Sequence, residues 1–307
     1  MHLVDPKVVQ LGAAGTLSVQ RTIPTRGAHR IGAWVFVDHY SVDDADAAEA
    51  MNVGAHPHTG LQTASWVFAG LIEHRDSGGV HGFIKPGELN LMTAGRGIAH
   101  SEYSMPVEAM LQGVQLWIAL PDHARLIEPD FTHYVPEPVL GDRFIARVFL
   151  GSLLGSTSPV QTYTPLLGAQ LDLDAPASLT IDIDPAFEHG LLVDRGSVRV
   201  SDGESELTAA EGQLLVLPRG LRELTVATDT GARLVLLGGE PFEEPIVMWW
   251  NFIGRTHEEI VSWREQWAAE LTGTAATRMF GLPVDDVGVA EPVPDAPPLS
   301  MRLKARG

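Results

Sequence analysis

The sequence contains no cysteine. That one absence excludes disulfides, thiolate metal sites and cysteine nucleophiles, so any metal site has to be built from nitrogen and oxygen. Long apolar runs are missing as well, since no stretch approaches the roughly 18–20 residues needed to span a bilayer. The start, Met1-His2-Leu3-Val4-Asp5-Pro6, has neither the basic segment nor the apolar core of a secretory leader. The expectation is a cytoplasmic protein with no membrane partner. Lysine is scarce, with only Lys7, Lys85 and Lys304 among 21 basic residues. Together with abundant Ala, Gly, Val and Asp, this is the composition expected of a GC-rich bacterial genome. Against those 21 stand 39 acidic residues, for a formal net charge of −18. Nucleic-acid binding draws much of its affinity from cations meeting phosphates, so this surface argues against a direct nucleic-acid partner.

What is present is enough for two ordinary domains: 307 residues, 45% of them apolar. Short apolar or alternating runs at residues 33–37, 61–68, 110–120, 144–150, 178–183, 190–193, 213–217 and 232–237 lie between Gly, Pro and Asp turns. This punctuation points to an all-β sandwich or barrel. The pattern repeats. Residues 68–73 and 192–198 each read as strand, Gly turn, strand, and residues 86–92 and 211–217 each read as a Gly turn entering an apolar strand. One amphipathic helix is expected at 256–271, opened by a Thr256/Glu259 capping box and striped by Ile260, Trp263, Trp267 and Leu271. The Pro-rich residues 135–139 read as a linker. The expected organisation is a metal-binding unit at 1–135, a second unit without metal at 136–281 that includes the helix, and an extended or mobile tail at 282–307.

Chemistry concentrates in two short segments. His56-Pro57-His58 places two imidazoles at i and i+2, which share a face of an extended chain. Pro57 donates no hydrogen bond, so this segment belongs on a strand edge or an irregular entry. His100-Ser101-Glu102 repeats the spacing with an imidazole and a carboxylate. Two such strands facing each other bring His56, His58, His100 and Glu102 to one point. Three imidazoles and a carboxylate suit one divalent transition metal, Fe, Cu, Ni, Mn or Zn, better than Mg or Ca; the donors alone do not choose among these, and iron is the expected occupant. Of the remaining histidines, His39 and His74 are read as structural, the first ending an apolar strand and the second lying in a charged turn.

Residues 54–63 and 73–77, with Met92-Thr93-Ala94-Gly95-Arg96-Gly97-Ile98-Ala99-His100-Ser101-Glu102, resemble the pirin family of bicupins. The likeness extends more loosely to Asp38-His39-Tyr40, Gln115-Leu116-Trp117 and residues 238–260. It implies two cupin (jelly-roll) β-barrels packed together with the C-terminal helix, and a metal only in the first barrel, on His56, His58, His100 and Glu102. Glu188-His189-Gly190 then stands as the depleted counterpart in the second barrel. Pirin-like proteins often have Glu where this chain has Gln62. The amide cannot act as a base, but Gln62, like Gln115, can hydrogen-bond a ligand histidine or a substrate. Some pirins are similar to quercetin 2,3-dioxygenases, which implies a small aromatic substrate. In that reading Glu102 takes the substrate's hydroxyl proton, and Trp66, Trp117, Met92 and Met105 form a flat apolar pocket. The resemblance equally implies a non-catalytic, metal- or redox-responsive partner of transcription factors or metabolic enzymes, and a metal-dependent isomerase is a third option.

Overall fold

The computed structural model describes residues 1–11, 17–43, 51–105, 110–286, 288, 290 and 302–305. In chain order, β1 (His2–Val4) is followed by β2 (Lys7–Leu11), β3 (Leu17–Ile23), β4 (Trp34–Asp43), β5 (Asn52–His58) and β6 (Leu61–Ala69). Next come β7 (Ile72–Asp76), β8 (His81–Ile84), β9 (Leu89–Thr93), β10 (Ile98–Ser104), β11 (Met110–Ala119) and β12 (Asp130–Tyr134). The Pro-rich linker leads to β13 (Val139–Gly141), β14 (Phe144–Leu150), the short pair β15 (Ser152–Leu153) and β16 (Ser156–Thr157), and β17 (Leu166–Leu173). The second unit continues with β18 (Ala177–Asp182), β19 (Glu188–Ser201), β20 (Glu206–Ala210), β21 (Leu214–Leu217), β22 (Glu223–Thr228) and β23 (Ala232–Gly239). The hairpin β24 (Val247–Trp249) and β25 (Phe252–Gly254) precedes α1 (His257–Thr272).

The fold is all-β with one C-terminal helix, and the repeat is visible in its topology. The first unit has a large sheet of order β12-β9-β6-β11-β4-β3-β2, and the second runs β1-β21-β19-β23-β17-β14-β13. A smaller sheet, β5-β10-β7-β8, covers the first unit. In the second, β18 pairs with β22, β22 with the far half of β19, and that half with β20. Each unit is a cupin-type sandwich whose sheets stay open instead of closing into a continuous barrel. Gly70 (φ 90°) marks the break between β6 and β7, and Gly196 (φ 85°) marks the matching bend inside β19. Both sit in the left-handed region that a side chain disfavours.

Two segments cross the expected division at residue 135. β1 edges the second unit's large sheet, pairing His2 with Val216 and Val4 with Leu214. In the other direction, β24, β25 and α1 pack against the first unit, where Phe252, Ile260, Trp263 and Trp267 bury against Ala99. Such pairings are set by contacts over 200 residues apart, and local pattern carries no trace of them. α1 itself forms as its sequence dictates: Thr256 caps it reciprocally with Glu259, and Gly273 ends it in the left-handed conformation. Residues 291–301 of the expected tail lie outside the described residues. Its flanks are tied down, with Tyr103 donating to Asp286 and the Leu303 N–H to His257.

One apolar core, containing Val4, Trp34, Trp66, Phe149, Leu192 and Val235, runs through both units. β6 lies between the site face and the second unit and is buried along nearly its whole length, which explains its continuous rather than alternating apolar character. On the inter-unit side, the Trp66 indole stacks on Phe149 at 4.6 Å and donates to Gln170 Oε1 at 2.7 Å. Trp66→Ala should lower stability by about 3–5 kcal/mol. Both units should then unfold together at a lower denaturant midpoint; two separated transitions would show that they fold independently.

Candidate metal centre

Three neighbouring strands each present an i, i+2 pair to the same interior. β5 carries His56 and His58, β10 carries His100 and Glu102, and β7 carries His74 and Asp76. The register sets them side by side, with His100 opposite His56 on one flank and opposite Asp76 on the other, and Glu102 opposite His74. β5 is an edge strand, the place where Pro57 is tolerated. Between His100 and Glu102 its pairing slips by a bulge, a common device beside functional sites. All six side chains are buried.

The ring nitrogens show what these histidines can do. His56 Nδ1 lies 2.8 Å from the Gly54 carbonyl, and His58 Nδ1 lies 3.2 Å from the Asn251 carbonyl. A carbonyl only accepts, so both Nδ1 atoms carry the proton and both Nε2 lone pairs are free. The Nε2 atoms of His58 and His100 are 3.0 Å apart. Burial lowers the pKa of His56 to about 4 and holds His58 and His100 well below the usual imidazole range. The rings are therefore neutral bases at pH 7. Ligand atoms of His56, His58 and His100 lie within 4.8 Å of one another, and so do those of His74, His100 and Glu102. Converging neutral Nε2 atoms beside a carboxylate are the donor set a divalent transition metal requires, so these residues fit such an ion.

Glu102 belongs to a short polar chain. Ser65 donates to Gln115 Oε1 at 2.7 Å and lies 3.3 Å from Glu102 Oε1. Burial raises the Glu102 carboxyl above the usual carboxylate range, and the Ser65 and Gln115 contacts only partly oppose this. Gln115 lies beside the site, on the cavity wall. Gln62 does not. It falls on the face of β6 opposite Ser65, where its amide donates to Thr93. His74 differs from its expected structural role in a charged turn, because residues 73–76 form a strand with Ile72, His74 and Asp76 inward. The repeated His-x-acid spacing was the available signal. His39 instead pairs with Asp194 of the second unit at 2.8 Å.

A cavity of about 480 Å³ opens onto His56, His58, Glu102 and Gln115. Its flat walls are Trp117, stacked on Phe36 at 4.0 Å, and Trp249 and Trp250 of the β24–β25 hairpin. Of the expected pocket residues only Trp117 lines it. Trp66 and Met92 are core, and half-buried Met105 lies elsewhere. The strands of the second unit equivalent to β5 and β10 are β18 and β22, which face each other with Leu179, Ile181, Leu224 and Val226. The depleted counterpart is therefore there, and not at His189, which sits on β19 opposite Leu217 and Gly238.

The Pirin family model matches residues 16–118, and the model of the pirin C-terminal cupin domain matches residues 168–272. The chain belongs to the pirin family. A Pseudomonas aeruginosa pirin relative, named as a candidate quercetin 2,3-dioxygenase, is 41% identical over 268 residues, covering 87% of this chain and 83% of its own. A solved quercetin 2,3-dioxygenase from Acinetobacter baumannii superposes with a TM-score of 0.87 at 38% identity, over 98% of this chain and 97% of that one. A bacterial pirin from Escherichia coli, solved in complex with nickel(II), shares the fold with a TM-score of 0.62 at 18% identity, over 78% of this chain and 99% of that one. Among the described residues of this pirin, no helix is long and apolar enough to cross a membrane.

These imidazoles also make the metal-free protein sensitive to acid. Between pH 6.5 and about 4 the unfolded chain binds protons that His56, and His189 with its similarly lowered pKa of about 4, refuse when folded. More protons on the unfolded state means stability falls as pH drops through that window. Denaturant midpoints of the metal-free protein should be highest near pH 7 and decline steadily toward pH 5. A flat profile would contradict neutral buried imidazoles.

Proposed function

We propose that this pirin is a metal-dependent dioxygenase for a flat, oxygen-bearing aromatic molecule of the flavonol type, with His56, His58, His100 and Glu102 holding one divalent transition metal, iron foremost. The observation that carries this reading is the cavity, which brings two imidazoles and a buried carboxyl to one wall and aromatic faces to the others. Its volume lies in the range of small-molecule sites. The names of the Pseudomonas and Acinetobacter relatives support the same substrate class. A bound transition metal supplies Lewis acidity toward substrate oxygens and, as iron, one-electron access to dioxygen.

The chain's own residues do the rest. Trp117, braced by Phe36, gives a ring system a face to stack on. Glu102, the buried carboxyl on the cavity wall, is the base that takes the substrate's hydroxyl proton. Ser65 and Gln115 hold that carboxyl in place, and the β24–β25 hairpin shields the wall from water. Arg21 and Asp38, paired at 2.7 Å, add a polar element to the cavity. The strongly acidic surface supports a second reading, a non-catalytic, redox-responsive partner for a basic protein in the cytoplasm.

Protein loaded anaerobically with Fe(II) should consume dioxygen when quercetin is added. Glu102→Gln should slow turnover by roughly 10²–10⁴-fold, and His58→Ala should abolish it with loss of the metal. Oxygen uptake that survives His58→Ala would refute the metal-centred reaction. No uptake, together with a protein partner retained in only one iron oxidation state, would select the regulatory reading.

A further inference from the structure

We propose that Asp76 and His74 form a positioning relay that sets the tautomer of His100 and so turns its Nε2 lone pair toward His56 and His58. This rests on His100 being a metal ligand. His56 and His58 have their Nδ1 protons fixed by backbone carbonyls, whereas among the described residues no carbonyl faces His100 Nδ1. Its Nδ1 faces His74 Nδ1 at 3.4 Å, and His74 Nε2 faces Asp76 Oδ2 at 3.3 Å. All three side chains are nearly inaccessible, so water does not replace these contacts.

The polarity of the chain is determined from its far end. Asp76 is held by its own turn: its other oxygen, Oδ1, accepts the Val80 N–H at 3.0 Å, and its backbone N–H donates to the Val80 carbonyl. A carboxylate oxygen is an acceptor, so in a chain that ends on Asp76 the His74 Nε2–H donates and its Nδ1 is left to accept. With His100 Nε2 given to the metal, the proton between the two Nδ1 atoms belongs to His100. Neutral His100 is left with Nε2 unprotonated, 3.0 Å from His58 Nε2. A carboxylate behind a ligand histidine also raises its basicity, which a backbone carbonyl does less strongly.

Long-range ¹H–¹⁵N correlation spectra of the metal-free protein read the tautomer directly, and Co(II) titration reads the affinity. The wild type should show His100 protonated on Nδ1. In Asp76→Asn the amide oxygen keeps the Val80 contact and the NH₂ faces His74, which reverses every donor. His100 should then be protonated on Nε2, and Co(II) affinity should fall by roughly 10–100-fold. In His74→Gln the side-chain carbonyl can accept from His100 while its NH₂ donates to Asp76, so affinity should stay within a few-fold. His74→Leu should lose it. An unchanged tautomer and affinity in Asp76→Asn overturns the relay, and so does loss in His74→Gln as complete as in His74→Leu, which would make His74 a direct ligand. His58→Ala separates the two levels: wild-type Co(II) binding there defeats the metal site itself, whereas loss there with unchanged Asp76→Asn defeats the relay alone.

Discussion

Three strands in fixed register, each turning two chemically active side chains inward, are the constraint on which this protein depends. A shift of one residue in any of them would move its pair to the opposite face and replace a site by two outward-pointing groups. The register is secured from outside the site. The smaller sheet is tied to the large one through Gly70, the end of β5 meets the β24–β25 hairpin where the Ile253 N–H donates to the Thr59 carbonyl, and β10 is backed by α1 through Ala99. Because the site is enclosed, its imidazoles are neutral and its carboxyl is raised. The same enclosure that makes a metal welcome makes the metal-free interior costly to charge.

The two units are one design used twice with different interiors. Their large sheets have the same strand order, and the pairings of their smaller sheets correspond strand for strand. Where the first unit places His56 opposite His100, the second places Leu179 opposite Val226 and Ile181 opposite Leu224. Apolar filling gives the second unit a dry core. The first sets packing aside for chemistry and borrows support from its partner through Trp34, whose indole donates to the Leu167 and Gly238 carbonyls, and through the His39–Asp194–Arg233 chain. The second unit also returns the tip of the β24–β25 hairpin over the cavity, and α1 behind β10. This is why the division of the chain into halves is clean in sequence and crossed in space.

Much of this was legible from local pattern, because the decisive signals have short periods. His56/His58 and His100/Glu102 announce shared faces at a spacing of two, Thr256 with Glu259 announces a capped helix, and the Gly turns announce the repeat. What pattern could not supply was anything set by long-range pairing: β1 on the second unit, the hairpin over His58, and β18 as the true counterpart of β5. His74 and Asp76 were hidden by charged neighbours, since Glu73 and Arg75 point outward and pair with each other. Gln62 was expected beside the site because pirin-like proteins often have Glu at that position; after the turn at Thr59 and Gly60, β6 turns it to the face opposite Ser65, toward Thr93.

The central claim is that one metal ion sits on three imidazoles and one carboxylate inside the first unit. X-ray absorption spectroscopy of the Fe(II)-loaded protein tests it most directly, because imidazole rings add a characteristic multiple-scattering pattern to the nearest-neighbour signal. The account predicts one iron per chain, three imidazoles and the remaining donors oxygen. Two imidazoles or fewer, or a second iron per chain, would contradict it.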